Sequence, residues 1–186
     1  QKYEEAVELW LKLLALIKEN KNSTLYKEMI KASFGEPIQE IYTQLAATYL
    51  LMGKYNEALS AARKSIQSNI VLKEYVQIYA HCEIIAGSLE KAFSILEKLR
   101  KQIPDYPPIL FFQAVIFALQ GKKDKSLSIF QSLIEERVQI TPILNKLISQ
   151  LNDCGKKKEA KILLSVINEH KIANDDTAII IKKYDM

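Results

Sequence analysis

At 186 residues, 48% of them hydrophobic, the chain can bury a core as one domain or one short repeat array without disulfide staples. Its formal charge of +4, from 26 basic and 22 acidic residues spread over both halves, excludes the concentrated basic footprint of most nucleic-acid binders. Only five glycines and five prolines among abundant Ala, Leu, Ile, Lys and Glu predict an all-α protein.

In chain order, QKYEEAVELW opens an amphipathic helix within residues 1–20. The stretch NKNSTLYKEMIKASFGEP then predicts a short helix over 24–33, capped by Asn22 or Ser23 and ended by Gly35, with Pro37 starting the next helix. From there Gly53, Gly87, Gly121 and Gly155 recur every 34 residues. The segments GKYNEALSAA, GSLEKAFSIL, GKKDKSLSIF and GKKKEAKILL align without a gap. Five residues after each glycine stands a small side chain: Ala58, Ala92, Ser126 and Ala160. Nine after come Ala62, Leu96, Phe130 and Leu164, and twelve after come Ser65, Leu99, Leu133 and Ile167. These offsets share one face of a 3.6-residue helix, so each glycine is followed by an amphipathic helix. Upstream, Leu45, Ala46 and Tyr49 set an apolar helical spacing that returns one and more periods later, so each glycine is the turn of an antiparallel helix pair.

This pattern resembles the tetratricopeptide repeat, a 34-residue helix-turn-helix unit, over residues 39 to about 172. The best match is IYTQLAATYLLMGKYNEALSAARKSI, where Leu45, Ala46, Tyr49, Gly53, Tyr55, Ala58 and Ala62 fall at the family's positions. The family's proline near the end of the second helix survives only as Pro104. Glu83 and Gln113 stand where apolar residues are usual. The resemblance implies a right-handed α-solenoid. Its expected layout is a second helix of an incomplete repeat at 1–20, an insertion at 21–38, repeats at 39–72, 73–106, 107–140 and 141–174, and a capping helix or the start of a further repeat at 175–186. In this phase Gln1 stands where a turn glycine would be, which predicts that the chain is part of a longer array.

The chemistry-bearing residues do not assemble into a site. His81 and Cys82 are adjacent and point about 100° apart on a helix. His170 sits near a helix C-terminus, and the Glu4–Glu5 and Glu135–Glu136 pairs read as solvated surface. Cys82 and Cys154 form no CxxC, so neither zinc nor a disulfide framework is expected, and a reducing, cytoplasmic setting fits them best. No catalytic residue, cofactor or metal is predicted, and no apolar run approaches a membrane span.

Two binding surfaces remain. The resemblance implies that the first helix of each unit lines a concave groove, through Thr43, Ala47 and Leu50, then Gln77, His81 and Ile84, then Phe111, Val115 and Ala118, then Asn145, Ser149 and Asn152. A partner peptide or helix would find an apolar anchor at Phe111 and Val115 and amide contacts beyond. The residues a chaperone-tail carboxylate clamp would need are replaced by Thr43, Ala47, Gln77 and Phe111. The alternative is a basic edge of Lys122, Lys123, Lys156, Lys157 and Lys158, with Lys54 and Lys125, for phosphate or RNA. The expected function is a non-enzymatic protein-interaction scaffold, with self-association through the repeat ends as a further possibility and nucleic acid not favoured.

Overall fold

The structure, a computed structural model, describes residues 2–32, 37–66, 73–172 and 174–184. Eleven α-helices and no strand occur among the described residues. They divide into two compact units, Gln1–Ala86 and Gly87–Met186. The division falls at a turn glycine inside the segment 73–106, where the repeat phase puts a unit rather than a boundary.

The first unit holds α1 (Lys2–Glu19), α2 (Thr24–Ala32), α3 (Pro37–Leu51), α4 (Tyr55–Ser65) and α5 (Lys73–Ala86). Helix α2 starts where Ser23 predicts, with the Ser23 Oγ accepting from the Tyr26 N–H at 3.1 Å. Its expected terminator, Gly35, lies outside the described residues. Helix α3 packs against α4, α5 and α1. The Lys18 ammonium on α1 donates to the Tyr42 hydroxyl of α3 at 3.0 Å and lies 5.5 Å from the centre of that ring, adding a cation–π contact.

The second unit holds α6 (Leu89–Arg100), α7 (Pro107–Leu119), α8 (Lys123–Glu135), α9 (Thr141–Asp153), α10 (Lys157–Glu169) and α11 (Asp175–Tyr184). Helix α7 packs with α6, α8 and α10, and α9 packs with α10 and α11. Pro107 and Pro142 occupy first-turn positions of α7 and α9, where a missing N–H costs nothing.

Hairpin closure depends on the small residues that the period marks. Ala46 and Ala58 are fully buried in the first unit, as are Ala114 and Ala160 in the second, and Ser126 is 1% exposed. The Ser126 hydroxyl donates to the Ala114 carbonyl at 2.8 Å, which brings α8 onto α7 at the two small positions. The turns use the left-handed conformation expected of them: Gly53 and Gly121 have φ of +70° and +74°. The N–H of the next residue then bonds back to the first helix, from Lys54 to the Tyr49 carbonyl and from Lys122 to that of Phe117, each at 2.9 Å.

The same closing bond ends α8 and α10, from Val138 to Leu133 and from Ile172 to Ile167. There the left-handed residue is Arg137 (φ +60°) and Lys171 (φ +53°), 34 positions apart, which is one repeat period. A side chain in this conformation costs about 1–2 kcal/mol. Glycine removes that strain but adds freedom to the unfolded chain, so Arg137→Gly or Lys171→Gly is expected to stabilise by about 0.5 kcal/mol, read as a raised urea midpoint. The gain is small because a cation at these ends also meets the negative pole of its helix.

Candidate functional site

The twelve side chains assigned to the concave row separate sharply by exposure. In the first unit Thr43, Leu50, His81 and Ile84 are buried, and Ala47 and Gln77 are half-buried. The Thr43 hydroxyl donates to the Gln39 carbonyl at 2.9 Å, within its own helix. In the second unit Phe111 and Val115 are 2% and 0% exposed, so the expected apolar anchor belongs to the core rather than to an open surface. Phe111 meets Phe112 and Phe130 edge to face, with ring centres 5.2 and 6.0 Å apart. Ala118 is also buried, and Ser149 is half-buried.

Asn145 and Asn152 are 4% and 7% exposed. The Asn145 side-chain amide donates to the Asn174 side-chain oxygen at 2.9 Å, and its own oxygen accepts from the Thr177 hydroxyl at 3.1 Å. Asn174 and Thr177 cap the start of α11 reciprocally, each side chain accepting from the other's backbone N–H at 3.0 and 3.2 Å. Asn145 therefore anchors α11 onto α9. The N-x-x-T spacing that starts α11 is visible in the sequence, but its tie to Asn145 is 29 residues distant. The Asn152 amide donates back to the Ile148 carbonyl at 3.0 Å.

The two polar residues at usually apolar positions each find a partner on the preceding helix. Glu83 on α5 is fully buried and accepts from Arg63 on α4, from Nε at 2.8 Å and Nη2 at 3.0 Å. The Tyr79 hydroxyl, one turn earlier, also donates to it. Gln113 on α7 donates to the Glu97 carboxylate on α6. Arg63 and Glu97 both stand ten residues after their turn glycines, so one register position supplies both partners.

The basic edge is partly spent. Lys123 is held by Glu169 at 2.8 Å, and that hydrogen bond raises the lysine's pKa. Lys122 and Lys125 lie 5.6 and 5.9 Å from the centre of the Phe117 ring, and Lys122 also donates to Gln120. Lys157 and Lys158 are exposed, and Lys156 is half-buried with its Nζ over the Gly87 backbone. Behind the Lys123–Glu169 pair lies a cleft of about 290 Å³ lined by Leu127, Ile162, Val166, Ser126 and Ser165.

Among the described residues no three His, Cys, Asp or Glu side chains group so as to hold a metal ion, and no helix is long and apolar enough to cross a membrane. His170 ends α10 with its ring edge-on to Phe130, centres 6.2 Å apart. Cys82 is buried, and burial pushes its thiol pKa up from about 9 to about 12. Burial, with a further contribution from the hydrogen bond to Glu83, raises Tyr79 to about 12, and burial raises Tyr75 as well. All three lie on α5 and are held neutral. Above the ordinary thiol pKa of about 9 the unfolded chain releases protons that the folded chain keeps. Their contribution to stability is therefore complete below pH 9 and disappears as the pH rises towards 12. Urea midpoints read on the first unit are expected to fall progressively over that window, and a flat profile would contradict the burial of α5.

No family model and no curated protein matches the chain. Among solved structures it is similar to TTC0263, a thermophilic TPR protein of Thermus thermophilus, at 21% identity over 98% of each chain with a TM-score of 0.50. It is also similar to MamA, at 18% identity over 80% of this chain and 88% of that one, with a TM-score of 0.47. The likeness to TTC0263 speaks for the fold, as do the 34-residue spacing and the left-handed turn glycines. The chain has the tetratricopeptide-repeat fold.

Proposed function

We propose that the chain is a non-enzymatic interaction scaffold whose first-of-hairpin helices receive an extended or helical segment of another protein. The observation that carries this is that each unit sets one half-exposed polar side chain on a first-of-hairpin helix. Gln77 lies on α5 in the first unit, beside the buried His81 and Ile84, and Ser149 lies on α9 in the second, beside the buried Asn145 and Asn152. A side chain set on a packed helix in this way loses little conformational entropy on binding. With Phe111 and Val115 in the core, recognition rests on polar and backbone-like contacts rather than on an apolar anchor. The lysine-edge alternative is weakened by the Lys123–Glu169 pair, which offsets one charge of an edge whose Lys54, Lys122, Lys125, Lys157 and Lys158 are also exposed.

The test is affinity purification with mass spectrometry, comparing the wild-type chain with Gln77→Arg/Ser149→Arg. Both positions are half-exposed, so the variant is expected to fold, as circular dichroism would verify. Loss of a discrete partner set supports the reading, and an unchanged set overturns it. A nucleic-acid partner whose binding collapses steeply with added salt would support the lysine edge instead.

A further inference from the structure

The cleft behind the Lys123–Glu169 pair exists because its walls depart from the repeat register. Ala118, three residues before its turn glycine, stands where the other repeats carry Leu50, Ile84 and Asn152. Ser165, ten residues after its glycine, stands where they carry Arg63, Glu97 and Gln131. Two shortened side chains, on α7 and α10, thus line one place and leave about 290 Å³ there.

The same walls turn apolar. Ile162 stands where the other second helices carry Ser60, Ser94 and Ser128, and Val166 where they carry Lys64, Lys98 and Ser132. Packing of α10 on α7 buries Val166 to 5% exposure, yet Ile162 of α10 and Leu127 of α8 stay half-buried at the cleft. The Ser126 and Ser165 hydroxyls donate to the Ala114 and Ile162 carbonyls, so neither brings an unpaired donor to the wall.

Size and charge select the occupant. An apolar cavity of about 150 Å³ holds a benzene ring, so the cleft has room for a leucine or phenylalanine side chain with its peptide group. At its edge the Lys123 ammonium and the Glu169 carboxylate lie 2.8 Å apart, their side chains 65% and 34% exposed. Their bond uses one of the ammonium's donors and one carboxylate lone pair, so each can bond a further group. A peptide group offers a C=O to the first and an N–H to the second. A full charge of either sign meets a repelling partner within the same pair.

We propose that this cleft binds one apolar side chain of an extended segment of another protein, held against Ile162 and Leu127 with its peptide group on the Lys123–Glu169 pair. This rests on the reading of the chain as an interaction scaffold, and it adds a contact on second helices to the row that carries Gln77 and Ser149.

N-acetyl-phenylalaninamide serves as the probe, because it joins one apolar side chain to uncharged amide groups. Titrated into the full chain, it is expected to shift the methyl resonances of Leu127, Ile162 and Val166 and to saturate with a dissociation constant on the order of 1 mM. Phenylalaninamide, a cation, and N-acetyl-phenylalanine, an anion, are each expected to bind at least about threefold more weakly. Ser165→Leu fills the cleft from an exposed position and is expected to keep the helical spectrum while weakening binding about tenfold. Ile162→Ser, which restores the residue of the other repeats, is expected to weaken it similarly, read on Leu127 and Val166. The proposal is overturned by no shift up to about 20 mM, or by shifts spread evenly over methyl groups outside the cleft. Undiminished binding to a folded Ser165→Leu chain, or equal binding of the charged analogues, overturns it too. None of these outcomes alters the partner set read with Gln77→Arg/Ser149→Arg, so the two readings fail separately.

Discussion

Arg63→Ala is expected to destabilise the first unit by roughly 3 kcal/mol, measured as a fall in the urea midpoint with an unchanged slope. The substitution removes both guanidinium hydrogen bonds from the Glu83 carboxylate, whose side chain is 0% exposed. The figure sits at the low end for a broken buried pair because Arg63 is itself 44% exposed, so water can enter where the guanidinium stood. Glu83→Leu removes the need for the pair and restores the side chain usual at this register. It is expected to cost little or to stabilise, and Arg63→Ala/Glu83→Leu should recover most of the loss. If Arg63→Ala is neutral, the bidentate pair does not hold α5 against α4.

The second large effect belongs to Phe130, a fully buried residue on α8 that touches the Phe111 and His170 rings edge to face. Phe130→Ala is expected to cost about 3–5 kcal/mol, from lost transfer energy plus the cavity left among residues fixed on other helices. Phe130→Leu keeps most of the volume and loses the ring contacts, so its cost should be nearer 1–1.5 kcal/mol. Thermal unfolding followed by circular dichroism separates the two. Equal melting temperatures for both variants would show that the cavity, and with it the packing of α8 onto α7, is not as described.

Local features were legible because each hairpin closes within one period. The glycine register marks the left-handed turns, the small residue five positions later marks the close approach of two helices, and Pro37, Pro107 and Pro142 mark helix starts, all within about a dozen residues of their partners. The exceptions needed distant information. Glu83 and Gln113 look like irregular repeats until Arg63 and Glu97 are seen beside them, from 20 and 16 residues away. Arg137 and Lys171 give no warning of a left-handed turn because their residue types do not prefer it, and the closing backbone bonds impose it.

The candidate surface was the least legible part. A position on the first helix of a hairpin says which way a side chain is directed, not how much of it the neighbouring elements leave uncovered. Phe111 and Val115 therefore read as an anchor in the sequence and belong to the core, whereas Asn145 reads as a partner contact and is used to seat α11.

By itself the sequence determined the helical class, the 34-residue period, the hairpin turns and the faces that must be buried, because these follow from short-range sterics and a 3.6-residue periodicity. Only the tertiary structure decided which of those faces found a cover. Leu13 carries the same local pattern as Leu99 and Leu133, yet it is 40% exposed while they are fully buried. Burial depends on whether another helix is packed across the position, and no local pattern encodes that.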